Sequence, residues 1–487
     1  MQQQDKIAHY LISMRFFQKR TAYLLLGAAL TLLPASLSAQ VLTNENAHIN
    51  VTGGTFVQGD TIDNLNGKIS NEGIINLNVS LNNAANILGS GRYNVAGNWR
   101  NTGSFSPGNS IVELNGVAIQ KIINTGFGYF YKLKINNTGS YPSGKIVLYD
   151  YLEVSNTLEM TSGIIETGND TLFLMNQSPG SLIHNSGHFI GLFERGIDQA
   201  ANYLFPLGSQ ENYNPLNLSL NTIPSSGSVL SEFLPADPDT LGLPIPDTSI
   251  TPGVEVYDVI EDGYWRLTAN NTFSVANFDM NMDGKGFENP NPVQDITRII
   301  KRNIGGDWSI DGKHQNATGS VGFRVNLTGN ISSSGNEFAF GNVRPRILQQ
   351  PEDTIVCDGT VATFSVVATG YEPLFYQWQE KSSTGGWQNL DEAGLYSGTN
   401  TATLTINSPD LTMDGNEYRV RISHKHGHVN WSRWATLNVN PNPVALATPQ
   451  KDTLCSGEST YIEITSDVPG TTFEWVVDNS GSTTVTN

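Results

Sequence analysis

Gly97-Asn98-Trp99-Arg100-Asn101-Thr102-Gly103-Ser104-Phe105 sets the reading of the first half of this chain. Polar and apolar residues alternate, a glycine interrupts them, and an aromatic restarts the alternation. That is the pattern of a short strand, a tight corner and another strand. The Asn-x-Gly mark recurs at Asn71, Asn101, Asn124, Asn137 and Asn185, each followed within two residues by Ile, Phe or Tyr. Asn and Gly tolerate positive φ, so the triplet is expected to turn the chain and the apolar residue to start an inward-facing strand. The marks are 30, 23, 13 and 48 residues apart, which fixes no coil period. Residues 40–193 are therefore read as an irregular β-solenoid or a pair of packed sheets.

Composition agrees. The 487 residues include 48 glycines, and only 15% are charged, against roughly 25% in an average soluble protein. Long solvated helices are disfavoured, the length suggests several domains, and the class is all-β. A net charge of −18 leaves no basic stripe for a nucleic acid backbone. At the start, Arg15, Lys19 and Arg20 precede an apolar run from Thr21 to Leu33, then Pro34 and the small residues Ala35 to Ala39. This reads as a secretory signal peptide over residues 1–39, cut between Ser38 and Gln40, with Met14 as well as Met1 a possible start. The run is too short for a membrane span, and no later run matches it, so the protein is expected outside the cell or on its surface. Its two cysteines, Cys357 and Cys455, are too few for a disulfide scaffold.

Residues 194–343 carry regular short strands around Tyr203, Leu218, Trp265, Phe278, Trp308, Phe323 and Phe338, the spacing of a β-sandwich. Residues 344–440 are more specific. Alternating Ala362 to Val366 is followed by Tyr376-Gln-Trp378-Gln, Ala402 to Ile406, Asp414-Gly-Asn-Glu-Tyr418-Arg-Val420 and Ala435 to Val439. This resembles an immunoglobulin-like domain. The resemblance places Trp378 at the core centre and Tyr418 at the tyrosine corner, with Val420 where the second core cysteine usually stands. Asp353-Thr-Ile-Val-Cys357-Asp-Gly359 is echoed by Asp452-Thr-Leu-Cys455-Ser-Gly457, each with a Trp downstream, at Trp378 and Trp475. Residues 441–487 are read as the start of a second, truncated immunoglobulin-like or PKD-like domain. The cysteines are expected to begin strands and pack there.

Taken together, Gly97 to Phe105, Phe130-Tyr-Lys-Leu-Lys-Ile-Asn-Asn137, the sandwich and the tandem modules resemble large secreted surface proteins of Bacteroidota. Type IX secretion is implied by that resemblance alone, since no C-terminal sorting domain is matched.

Candidate sites are few. Asp279-Met-Asn281-Met-Asp283-Gly284 opens like a calcium loop, but Pro290 stands where a bidentate Glu belongs. The alternation favours a strand with Phe278, Met280 and Met282 inward and Asp279, Asn281 and Asp283 outward. His424, His426 and His428 could share a transition metal if they lay on one strand face; the preferred reading is a hairpin turn with polar side chains in water. Gly139 to Lys145 mimics a phosphate loop without the Ser or Thr that would hold magnesium. Exposed Trp387, Trp431 and Trp434 are the binding candidates, because indoles stack on sugar rings or anchor protein partners. Trp431 and Trp434 are equally compatible with burial on the last strand. The leading expectation is an exported, non-enzymatic structural or adhesion protein that uses tandem β modules. Its partner would be an extracellular polysaccharide or surface protein, with no cofactor beyond calcium suggested. The alternatives are a β-helix polysaccharide lyase or hydrolase with accessory modules, or a carbohydrate-binding array. A lyase would want basic residues beside recurring acids, and Lys68, Arg92, Arg100, Lys121, Lys132, Lys134 and Lys145 are expected to lack such acidic partners.

Overall fold

The computed structural model describes residues 21–24, 30–32, 36–222, 224–249, 253–270, 272–287, 297–370, 372–424, 428–455 and 457–476. Within them the protein is all-β, its only helical pieces being the single 3-10 turns Pro179–Ser181 and Leu411–Met413. It divides into two compact units, residues 1–251 with 255–343 and residues 252–254 with 344–487. No helix of the described residues is long and apolar enough to cross a membrane. Arg15, Lys19 and Arg20 of the expected leader lie outside the described residues. The expected cleavage point falls inside strand Ser36–Asn44, leaving Val41–Asn44 to pair with Thr61–Asn64.

The N-terminal region is a solenoid of parallel strands. Ser36–Asn44, Phe56–Asn64, Ile74–Asn83 and Asn98–Asn101 follow one another on one sheet. His48–Val51, Lys68–Asn71, Asn86–Leu88 and Ser104–Ser106 do so on another. Alternate side chains fill the interior, where Tyr93, Trp99, Phe105 and Phe130 pack with ring centroids 5.0 to 6.0 Å apart.

One column of asparagines sets the coil. Asn44 Nδ2 donates to Asn64 Oδ1 (3.0 Å), Asn64 to Asn83 (2.7 Å), Asn83 to Asn101 (2.7 Å) and Asn101 to Asn124 (3.0 Å). The second amide proton goes to backbone carbonyls, as from Asn64 to Asn86, from Asn83 to Ser104 and from Asn101 to Phe127. Steps of 20, 19, 18 and 23 residues are the coil period that the Asn-x-Gly intervals concealed. Asn44, Asn64 and Asn83 lack the glycine two positions on and so carry no Asn-x-Gly mark.

The role expected of the triplet is corrected in two respects. Its asparagine is the inward residue at Asn71, Asn101, Asn124 and Asn137, all buried, and the apolar residue after the mark faces inward at Phe105 and Phe189 but not at Ile74 and Phe127, which are 39% and 86% exposed. Of the triplet glycines Gly187 has positive φ, but Gly103 and Gly126 do not. A Cβ at Gly103 would lie 2.2 Å from the Ala85 carbonyl oxygen, and one at Gly126 2.1 Å from that of Gly103. Glycine is needed at those corners so that one coil can lie against the next.

The sequence boundary at 193/194 falls within strand His188–Ile197, and the structure puts no domain break there. That strand runs parallel to Ile164–Leu174 on one side and antiparallel to Gly227–Leu234 on the other. Gly227–Leu234 then pairs with Tyr264–Asn270, which pairs with Asn336–Gln349. Facing them is an antiparallel sheet of Asn202–Phe205, Leu216–Ser219, Asn277–Asp283, Val321–Thr328 and Lys313–Thr318. Solenoid and sandwich share one continuous hydrophobic core, with Trp265 buried beside Phe233, Phe287 and Phe340.

The second unit begins with an immunoglobulin-like sandwich. One sheet holds Thr354–Cys357, Ala435–Asn440, Glu417–Ser423, Phe375–Lys381 and Gln388–Asn389, with Val429–Trp431 paired to Glu417–Ser423; the other holds Ala362–Ser365, Thr403–Ile406 and Tyr396–Ser397. Trp378, Tyr418 and Val420 are fully buried between them. A tyrosine-corner hydroxyl ordinarily bonds the backbone a few residues upstream; that of Tyr418 instead donates to Glu380 Oε1, which also accepts from Tyr396 and Asn416. Burial, then this carboxylate, pushes the Tyr418 hydroxyl pKa upward. The following strands, Ala445–Pro449 and Ile462–Ser466, form a hairpin.

The packing expected of the cysteines is also corrected. Cys357 ends its strand on the opposite parity to Val356, which packs on the core, and both Cys357 and Cys455 are exposed free thiols.

The ladder is testable by mutation. Asn83→Ala strands buried donors and acceptors on both neighbouring coils and should cost about 2–4 kcal/mol. Asn82→Ala, which loses one bond to Asp63 at the surface, should cost less than about 1 kcal/mol. Urea denaturation of the full chain, followed by circular dichroism, measures both.

Candidate functional site

On strand Glu417–Ser423, Tyr418, Val420 and Ile422 face the core, so Glu417, Arg419 and Arg421 project from the outer face of the sheet. The partner strand Phe375–Lys381 places Gln379 opposite Arg419 and Gln377 opposite Arg421, while Trp431 pairs with Arg421 from the other side. Trp387 reaches the same place from the turn after Lys381. The Arg419 guanidinium lies 4.1 Å from the Trp387 ring centroid and 4.3 Å from that of Trp431. Its Nε donates to Gln379 Oε1 (2.9 Å), and Gln379 donates in turn to Asn389 Oδ1 (2.8 Å). Burial beneath the indoles pulls the Arg419 pKa down from its ordinary value. Lys381 Nζ sits 2.8 Å from Glu417 and over the Trp387 ring.

The structure thus brings together Trp387 and Trp431 of the three expected tryptophans. Trp431 is 40% exposed and Trp434 61%, which settles the open choice between burial and exposure for both. Trp434 makes no ring contact with the stack among the described residues. Arg419 and Arg421 were missed in the sequence, although the alternation Glu417-Tyr-Arg419-Val-Arg421-Ile puts both on one face.

The other candidates behave differently. Phe278, Met280 and Met282 are buried, and the oxygens of Asp279, Asn281 and Asp283 are used separately. Asp279 accepts from the Asn326 amide, Asn281 from the Asn217 side chain, and Asp283 from the Lys285 amide in the Asp-Gly turn. The expected hairpin links Glu417–Ser423 to Val429–Trp431, but His424 is buried, with its ring 5.5 Å from that of His428, contrary to the water-facing position expected. His426 lies outside the described residues. Among the described residues no group of three His, Cys, Asp or Glu converges to hold a metal.

Four of the seven basic residues of the solenoid do have acidic partners, contrary to expectation, while Lys68, Arg100 and Lys121 pair with no carboxylate among the described residues. Arg92 pairs with Glu113, Lys134 reaches Glu113 and Glu159, Lys132 pairs with Glu159, and Lys145 with Glu166. Parallel coils stack these side chains in columns, so the pairing is between residues about a coil apart in sequence. Two carboxylates, Glu166 and Glu232, line a cleft of about 430 Å³ in the first unit. Burial raises the Glu232 pKa against the opposing charge of Arg266, while Glu166 is held by Lys145 and the Tyr141 hydroxyl. A second cleft, about 440 Å³, is lined by Tyr141, His184, His188, Glu211, Tyr213 and Lys285. Its histidines are engaged, His188 donating to the Ser209 carbonyl and His184 to that of Gly187.

A buried ionic cluster lies within the sandwich of the first unit. Arg298 and Arg324 both reach Asp247, and all three are at most 1% exposed. Arg298 Nη1 donates to His314 Nε2 (3.2 Å), so the His314 ring keeps its proton on Nδ1. Burial foremost, with the charges of Arg298 and Arg324 against that of Asp247, lowers the His314 pKa to about 3. For Asp247, burial pulls upward, but Arg324, the Ser249 bond and Arg298 together lower it to about 2.

No protein-family profile matches this chain, and no curated protein matches it in sequence. Among solved structures, the titin M10 and obscurin-like 1 Ig complex matches at 23% identity, covering 21% of this chain and 98% of that one, with a TM-score of 0.18. Domain D1 of Duf (Kirre) matches at 18% identity over 20% of this chain and 98% of that one, with a TM-score of 0.17. The Ig-like domain of human leucine-rich repeat-containing protein 4 matches at 20% identity over 20% of this chain and 89% of that one, with a TM-score of 0.16.

The ionic cluster gives a pH prediction. His314 is neutral when folded but takes a proton near pH 6.5 when unfolded, so stability falls as pH drops from about 6.5 towards 3, by about 2–3 kcal/mol at pH 4.5. The Asp247 contribution is intact above 3.8 and is lost as pH falls through about 2. His314→Gln should flatten the first decline and leave the second, as read from melting temperature against pH.

Proposed function

We propose that this chain is an exported, non-enzymatic structural or adhesion protein of the kind found among large Bacteroidota surface proteins. A signal peptide would be removed near Ser38, and tandem β modules would present binding faces to the surroundings. The observation that carries this reading is the Trp387–Arg419–Trp431 stack, held open on the outer sheet of an immunoglobulin-like sandwich. Large apolar rings left at a surface, with a cation fixed between them, are suited to recognition rather than to bond cleavage. Weak contacts of this sort gain strength when several tethered modules engage together. The ion pairs of Lys132 and Lys134 with Glu113 and Glu159 support the same reading, since those charges neutralise one another along the coils. No cofactor is needed for such a role.

A second reading, a polysaccharide hydrolase, rests on the Glu166 and Glu232 cleft, where burial raises the pKa of Glu232 and Lys145 pairs with Glu166. Incubating the full chain with acidic and neutral polysaccharides, with and without calcium, separates the two. Retention without product release is expected. Release of reducing sugar that Glu232→Gln abolishes would establish the second reading instead.

A further inference from the structure

We infer that the outer face of the immunoglobulin-like sheet binds an anionic polysaccharide, with Arg419 and Arg421 as the anion-reading groups and Trp387 and Trp431 as stacking platforms. This deepens the binding-module reading above and rests on it.

The geometry of Arg419 is that of a pre-set fork. Both faces of its guanidinium are covered by indoles and its Nε is tied to Gln379, so the plane is fixed before any ligand arrives. Its Nη1 and Nη2 groups have no protein acceptor among the described residues. A planar donor pair of this kind matches a carboxylate or sulfate bidentately. Arg421 stands one pleat further along the same strand, about 7 Å away by strand geometry, exposed and without an ion pair among the described residues. Two cations at that spacing suit a polymer with repeated anionic groups better than a single small ion.

Charge makes the face complementary to such a polymer. The chain carries a net −18, yet Glu417, the carboxylate beside Arg419 on the outer face among the described residues, is already neutralised by Lys381. Arg419 and Arg421 are left uncompensated. The rings add what an acidic peptide would not require: two indoles edging the cations on an open sheet, a surface on which the flat faces of pyranose rings can stack. Fixing Arg419 in advance also lowers the ordering cost of binding.

Affinity electrophoresis of the full chain in gels containing polygalacturonate, dextran sulfate, neutral dextran or single-stranded DNA tests the inference. Retardation by polygalacturonate or dextran sulfate, weakening as salt rises, is expected, and the stronger of the two identifies carboxylate or sulfate as the group read. Arg421→Glu should weaken retention at least tenfold with an unchanged melting temperature, because Arg421 supports nothing in the fold. Arg419→Lys, which keeps the charge but loses the fork, should also weaken it, whereas Trp434→Ala should not. Equal retardation by neutral dextran, equal or stronger retardation by DNA, no retardation by either polyanion, or an unaffected Arg421→Glu would each overturn the inference. An unaffected Arg421→Glu with retention intact would leave the binding-module reading standing. Product release would remove that reading itself.

Discussion

Everything in the first unit depends on amide groups being satisfied from one coil to the next. Parallel strands stacked at hydrogen-bonding distance leave each corner with peptide groups that no strand can pair, buried from solvent. The Asn44, Asn64, Asn83, Asn101 and Asn124 column meets that demand, because each side chain both donates and accepts. An aliphatic residue in the column would leave several orphans, and a carboxylate would bury a charge with no cation to meet it. The same constraint explains the glycines at 103 and 126, where the backbone of one coil presses on that of the next.

Much of the fold was legible because alternation is a local property. Trp378, Tyr418 and the strands around them announced the second unit's sandwich, and the alternation of Phe278, Met280 and Met282 favoured an inward face over a calcium loop. The coil period was not legible, since it rests on single asparagines whose neighbours vary. Glycine drew attention to itself at a subset of corners and gave misleading intervals. The division at residue 193 failed for a related reason: a change of texture in sequence marks a change from parallel to antiparallel pairing, and one strand can serve both.

The candidate site was half visible. Exposed tryptophans stand out by composition, but Trp387, Arg419 and Trp431 come from separate strands and turns, so only cross-strand register unites them. Arg419 gains its orientation from neighbours distant in sequence. Conversely, clusters conspicuous in sequence dissolve in three dimensions. Asp279 and Asn281 serve different neighbouring strands, Asp283 its own turn, and His424 turns inward.

Strand His188–Ile197 has one further consequence. Open parallel edges invite another chain to add on, which is how stacked-strand proteins polymerise. Here the final coil surrenders its free edge to an antiparallel neighbour, so fibre growth is blocked at that end. The solenoid acquires polarity, and the sandwich serves as a stopper as well as a module.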